Sequence, residues 1–277
     1  MPQPDDALVA APDRTPRRLR HPLRLRALEV LKVEQLTPRM RRVTLGGAAL
    51  EGFTSLGFDD HVKLFFPAPG QALPVVGPEG LVFPEGAPRP PARDYTPRRY
   101  DPQAGTLLID FALHEAGPAT AWAEQAEPGQ PLLIGGPRGS FVIPTEFDWH
   151  LLVGDETALP AIGRRLEELP AGSRALVIAE VEGPEEELAF DSAAAVSVTW
   201  VHRGDAAPGQ PEGLAAALAA AEFPAGDFYA WVACESLIAK ALRRQLIAEK
   251  GAQPRWVKAA GYWKRGQAAV HEQHVED

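Results

Sequence analysis

Arg93 and Tyr95 stand two positions apart in the octet RDYTPRRY, residues 93–100. Side chains alternate along a strand, so residues two apart project from one face. A guanidinium there can pair with a phosphate, and a tyrosine ring beside it can pack on a flat heterocycle. The same spacing equally describes a barrel strand that ends in a turn at Pro97. Further on, FALHEAGPATAWAEQ breaks at Gly117 and Pro118, and a helical stretch opens with Ala119 and Thr120 and contains Trp122. Helix-start N–H groups with a hydroxyl suit a pyrophosphate, and they also suit a plain capped helix. LLIGGPRGSF sets one cation, Arg138, among three glycines. It lacks both the GK[ST] ending of a P-loop and the GxGxxG spacing of a dinucleotide fingerprint.

Charge restricts the partners. The chain carries 28 basic and 37 acidic residues, a net charge of −9, and the first 45 residues hold ten basic and five acidic ones. An acidic body repels nucleic acid and anionic membranes, so an anionic substrate needs a local basic pocket. Leucines 19, 23 and 25 interrupt the arginine-rich start, which speaks against a nucleic-acid arm. No apolar run of about 18 residues exists to span a membrane, and the N-terminal apolar patch LVAA is too short for a signal peptide. A single cysteine, Cys234, excludes internal disulfides and a protein-held iron–sulfur cluster, which needs about four ligands. A cytoplasmic monomer, without membrane insertion or nucleic-acid partner, is expected.

The elements that must position these residues fall into two textures. Residues 1–20 read as a flexible tail. Residues 21–147 show short alternating strands (LRLRALEVLKVEQ, RMRRVTL, HVKLFF, TLLIDFALH, QPLLIGG) separated by Pro and Gly, which predicts a small antiparallel barrel. Residues 148–262 alternate strands (WHLLVGD, RALVIAEV, VSVTWVHR, DFYAWVACE) with helices (ETALPAIGRRLEEL, GLAAALAAAE, SLIAKALRRQLIAEKG), predicting a parallel sheet with helices on both faces. Residues 263–277 are expected to be a C-terminal tail. A barrel followed by an open α/β sheet is one arrangement that couples two bound redox partners at a crevice.

Taken together, HVKLFFP, RDYTPRRY, IDFALHEAGPATAWA, GGPRGSF, LVGDETALPAI, VACES and GYWKRG resemble, in order and interval, the siderophore-interacting protein family of flavin-dependent ferric-siderophore reductases, over residues 25–266. The resemblance implies the fold of the ferredoxin–NADP⁺ reductase superfamily: a six-stranded-type antiparallel FAD-binding β-barrel, then a parallel α/β NAD(P)H-binding domain. It implies that Arg93, Tyr95 and Thr96 contact FAD, with further contacts from Asp110, Phe111, His114, Ala119, Thr120 and Trp122. Asp155, Glu156, Thr157 and Ala158, with Glu235, would border the nicotinamide of NADPH or NADH. Lys63, Arg138 and Lys264 would hold a ferric siderophore. No catalytic side chain beyond the flavin and no protein-held metal is implied. Cys234 stands where the family more often has glycine and is read as a buried spectator thiol.

Several readings stay open at this level. Arg203, after the strand VSVTWVH, either selects the 2′-phosphate of NADPH or merely ends a strand. His271 and His274, with Glu272 and Glu276, could bind a metal, although an exposed acidic tail is the plainer reading. The rival functions are a general flavin or ferredoxin reductase, with ferredoxin as a possible electron donor, and a siderophore-binding protein without turnover.

Overall fold

The computed structural model describes residues 13–113, 117–267 and 272–274, the last group by backbone alone. The first half contains β1 (Arg17–Arg20), β2 (Leu25–Thr37), β3 (Met40–Gly46), β4 (Val62–Phe65), β5 (Val75–Gly77), β6 (Gly80–Val82), β7 (Ala92–Tyr95), β8 (Arg99–Asp101), β9 (Thr106–Ala112), α1 (Pro118–Glu124), β10 (Pro131–Gly135) and β11 (Gly139–Val142). Seven of these strands form one antiparallel sheet in the order β7-β4-β10-β2-β3-β9-β8. Alternation drives it: Leu28 and Val30 are buried, whereas Glu29 and Leu31 between and after them face outward. The sheet curls into a half-barrel, and the ring of Tyr95 on the edge strand β7 reaches Phe111 on β9 from the other end, 4.4 Å between centroids. Val43, Leu45, Val62, Leu64, Ile109 and Ile134 fill its interior.

The second half contains β12 (Trp149–Gly154), α2 (Leu159–Glu168), β13 (Arg174–Val181), β14 (Ala195–His202), α3 (Glu212–Ala220), β15 (Phe228–Glu235), α4 (Ser236–Glu249), β16 (Val257–Trp263) and β17 (Glu272–His274). The sheet order is β14-β13-β12-β15-β16-β17, with five parallel strands and an antiparallel edge strand, β17. Both faces are covered, and strand alternation sorts the core accordingly. Val177, Tyr229, Trp231 and Ala233 pack with α2, while Leu151, Val153, Val232 and Cys234 pack with α3 and α4. The chain after α4 turns back through Gly251, whose φ of 69° favours glycine.

The structure departs from expectation at both ends. Residues 17–20, read as tail, form β1 and pair antiparallel with β11, Arg20 opposite Gly139. Glu272–His274 lie as β17 against Ala259–Gly261 of β16 instead of trailing freely. His271 lies outside the described residues. No helix among the described residues is long and apolar enough to cross a membrane.

Candidate functional site

The octet that opened the sequence reading straddles the end of β7. Arg93 is half-buried; its Nη1 donates to the carbonyl of Ala92 (2.9 Å), and it forms no ion pair among the described residues. On the same strand face Tyr95 begins a row of rings: Tyr95 against Phe111, Phe111 against Trp122 at 5.5 Å, and Trp122 against Phe66 at 5.9 Å. Burial pushes the Tyr95 phenol above its ordinary value, with Arg93 opposing the shift, so the ring stays neutral. A half-buried cation without a counter-charge beside an aromatic floor fits a flat heterocycle that carries phosphates.

The neighbouring candidates are arranged less uniformly. Thr96 is buried and shares a hydrogen bond with Tyr262 of β16, whose phenol burial drives well upward. Asp110 faces Arg42 directly across the β3–β9 ladder, and that register delivers a bidentate pair at 2.7 and 2.8 Å. Arg98 stands 3.7 Å from the same carboxylate, so Asp110 is enclosed within the sheet. Phe111 is fully buried and supports Tyr95 from below. Ala119 is buried and Thr120 half-buried in the seven-residue α1, which has Pro118 in its first turn and no side-chain cap. His114 lies outside the described residues.

The nicotinamide-side candidates meet where strand order reverses. From β12 the chain steps through β13 to β14 on one side, then returns to β15 on the other. The carboxyl ends of β12 and β15 therefore frame the crevice in which open α/β sheets bind ligands. At the tip of β12 a Cβ on Gly154 would meet the Ala158 Cβ at 2.3 Å and the Ala233 carbonyl at 2.5 Å, so only glycine fits this tight entry into α2. Asp155 then fixes the loop. Its Oδ1 accepts from the Thr157 amide and hydroxyl (3.0 and 2.5 Å), and its Oδ2 accepts from the Trp263 indole (2.8 Å). Glu235 caps α4, accepting from the Leu237 and Ile238 amides at 2.7 and 3.2 Å.

Acid crowds this crevice. Glu156 is pushed up to about 7 by burial and by Asp155, with Arg203 (2.9 Å) pulling the other way. Burial, Asp155 and Glu156 likewise raise Glu180 to about 7. Arg203 lies between Glu156 and Glu182 (3.8 Å), so its charge is compensated where the protein stands. Burial drives the Cys234 thiol well above its ordinary value, as suits an inert core residue.

The three cations expected to meet substrate differ. Lys63 lies opposite Asp94 in the β4–β7 ladder and pairs with it at 2.6 Å. Arg138 is exposed in the turn between β10 and β11, and Lys264 is half-exposed just past β16. The residues that join the two halves escaped the sequence reading. Arg98, just past the Pro97 turn, is 8% exposed and bonds Glu167 of α2. Arg164 of α2 donates to the carbonyls of Pro97 and Ser55, both at 2.9 Å. Gly163 admits Arg98 so closely that a Cβ would lie 2.9 Å from its Nη2. Asp59 takes Lys258 at 2.5 Å and the Trp231 indole at 2.9 Å. Only Tyr262 carried a signal, through its place in GYWKRG.

Comparison with known proteins agrees with this architecture. A family model described as siderophore-interacting FAD-binding domain matches residues 29–141, and one described as siderophore-interacting protein matches residues 147–266. The chain is 42% identical over 255 residues to an NADPH-dependent ferric-chelate reductase of Escherichia coli, covering 90% of this chain and 97% of that one. It is 34% identical over 259 residues to the ferric vibriobactin reductase of Vibrio cholerae, covering 90% and 94%. A siderophore utilization protein from T. fusca superimposes with a TM-score of 0.86 at 41% identity, covering 92% of this chain and 98% of that structure.

Proposed function

Because the chain belongs to the siderophore-interacting protein family, we propose that it carries electrons from NADPH through FAD to the Fe(III) of a siderophore and so releases Fe(II). The observation that carries this reading is the Arg93 guanidinium, without an ion pair among the described residues and on the strand face of the Tyr95–Phe111–Trp122 row, in the half that matches a FAD-binding model. FAD, when bound, accepts a hydride from the nicotinamide and passes electrons on singly, which couples a two-electron donor to a one-electron acceptor.

The chain's own residues bind, orient and shield. In the proposal Arg93 pairs with the pyrophosphate, Tyr95 packs against the ring system, and Thr96, held by Tyr262, fixes the strand end beside it. Ala119, Thr120 and Trp122 line the nucleotide side, with Phe111 as support and Asp110 as brace. Residues 21–147 form the flavin-binding unit and residues 148–262 the nucleotide-binding unit. In the latter, Asp155, Glu156, Thr157, Ala158 and Glu235 border the nicotinamide at the β12–β15 switch point. Lys63, Arg138 and Lys264 receive the ferric chelate. Hard siderophore oxygens hold Fe(III) far better than Fe(II), so one-electron reduction itself loosens the metal. One free, buried thiol and no disulfide suit a reducing, cytoplasmic compartment.

The test is anaerobic mixing of the FAD-loaded protein with NADPH, followed by a ferric siderophore and an Fe(II)-specific chelator. The flavin absorbance is expected to bleach with NADPH, then return as trapped Fe(II) accumulates. A protein that takes up no FAD, or bleaches without delivering Fe(II), overturns the reading.

A further inference from the structure

Eight large apolar side chains are exposed among the described residues, and four of them, Leu73, Val75, Val76 and Val82, fall within one stretch of ten. They lie on or just before the hairpin β5–β6, a two-stranded sheet of its own in the segment that links β4 to β7. Val75 stands opposite Val82 and Val76 opposite Leu81, so alternation turns one apolar pair to each face of the hairpin. None of these residues joins any of the three apolar cores of the described residues. Single exposed apolar residues are ordinary, whereas a cluster of them on an isolated hairpin, itself marginal in water, marks a surface that binds something.

The arms of this segment are clamped, and their root lies at the row of rings. Phe66, the residue before it, donates its amide to the Pro91 carbonyl (2.8 Å), and its ring meets Trp122. Gln71 holds the two arms together, accepting from the Ala68 amide and donating to the Pro88 carbonyl, both at 2.9 Å. Arg89 covers the ring of Phe83 at 4.7 Å, and eight prolines in residues 67–91 limit the freedom the arms can lose. The second arm runs directly into β7. In the reading above Tyr95 packs against the flavin ring system and Arg93 pairs with the pyrophosphate, about 7 Å earlier along the same strand face. The adenosine that follows the pyrophosphate therefore continues past Ala92, toward the root of the hairpin. Trp122, assigned above to the nucleotide side, meets that same root through Phe66. Charge narrows the occupant further. Residues 67–91 carry Glu79, Glu85 and a single cation, Arg89, which suits neither an anionic membrane nor a polyanion and fits a flat, neutral base.

We propose that residues 67–91 form a flap whose apolar side chains cover the adenosine half of FAD, so that this hairpin makes the protein take FAD in preference to FMN. The proposal rests on the flavin site of the reading above and assigns recognition of the adenosine to a segment outside the sheet. FMN shares the ring system and a phosphate but ends there, so nothing in it reaches the hairpin. Covering the base removes apolar surface of both partners from water, and the clamped, proline-rich arms lose little freedom in doing so. Because the hairpin tip joins none of the three cores, altering it leaves the packing of both halves in place.

The experiment titrates FAD and FMN separately into the full chain stripped of flavin, with flavin fluorescence as the readout. Wild type is compared with two variants. In one, Gly-Ser-Gly replaces residues 72–87, beyond the Gln71–Pro88 clamp; in the other, Val75→Thr/Val76→Thr/Val82→Thr keeps side-chain shape and strand propensity while adding hydroxyls. Both variants are expected to weaken FAD binding about ten-fold and to leave FMN binding within about two-fold of wild type. Hydrogen exchange of residues 72–87 in the wild type is expected to slow on loading with FAD and not with FMN. An FAD-to-FMN affinity ratio within about two-fold of wild type in either variant, or equal loss of both flavins, overturns the proposal. A wild-type dimer in sedimentation velocity that both variants lose, with that ratio unchanged, gives the hairpin to a second copy of the chain and overturns it too. Wild-type protein that takes up neither flavin overturns the FAD reading instead.

Discussion

Arg93 and Glu156 are the two side chains whose charge has the most to answer for. Among the described residues Arg93 has no carboxylate partner, so Arg93→Ala should weaken FAD binding about 10–100-fold, the effect of losing a charge-assisted hydrogen bond worth ~1.5–3 kcal/mol. Titration of flavin fluorescence into the apoprotein measures it, and a change of less than about three-fold would remove Arg93 from the pyrophosphate site. Glu156 poses the opposite problem, an acid where the proposed function has an anionic nucleotide enter. Its carboxyl, raised to about 7 by burial and Asp155, is largely neutral below that pH and ionised above it. The KM for NADPH should therefore rise between pH 6 and 8, and Glu156→Gln should flatten that profile. Glu180, raised to about 7 mainly by burial, bears on stability. Its folded-state value exceeds the unfolded one, so its contribution is greatest below the ordinary carboxylate range and is lost as pH rises through about 7. Glu180→Gln should gain about 2–4 °C in Tm at pH 8 and less at pH 5, the shift that ~1 kcal/mol gives in a chain of this size.

At the scale of elements, α2 is the hinge pin between the halves. Arg164 reaches from it to the Pro97 and Ser55 carbonyls, and Arg165 reaches the Ile143 and Pro144 carbonyls at 3.2 and 2.8 Å. Arg164→Ala leaves two acceptors without that donor and should cost about 2 kcal/mol, or roughly 4–8 °C in Tm. Because Arg164 forms no hydrogen bond with Tyr95, Phe111 or Trp122 among the described residues, FAD content should hold while turnover falls. Calorimetry beside flavin absorbance separates the two effects. What was legible in the sequence follows the same division. β2, β3, β9, β12 and β13 announced themselves because each has one or both faces in a core, which local periodicity records. β1 did not, because all four of its residues are exposed and its partner lies about 120 residues away. Arg98 gave no sign of its partner, because nothing in PRRY reveals Glu167 on a helix of the other half. The order of motifs marked the β7 strand and the β12 loop as candidates, but no pattern within Asp59, Arg164 or Lys258 could show that they meet at the seam.

The molecule as a whole is held together by contacts that cross from one half to the other. Thr37 donates to Glu186 at 2.5 Å, Asp59 takes Lys258 and Trp231, and Met40, Phe58 and Phe141 pack into the same core as Ile162 and Trp231. A shared apolar core of this kind resists free rotation of one half against the other. The N-terminal segment adds a strap, because β1 is paired to β11 while Arg14 bonds Asp148 and Asp227 at 3.2 and 2.5 Å. Removing residues 1–20 should lower Tm by several degrees in a calorimetric scan.

The strap also dictates an order of assembly. Arg14 is separated from Asp227 by 213 residues, and β1 cannot pair until β11 has been synthesised. Although β1 precedes both sheets along the chain, it is thus among the last elements to dock, after both sheets exist to receive it.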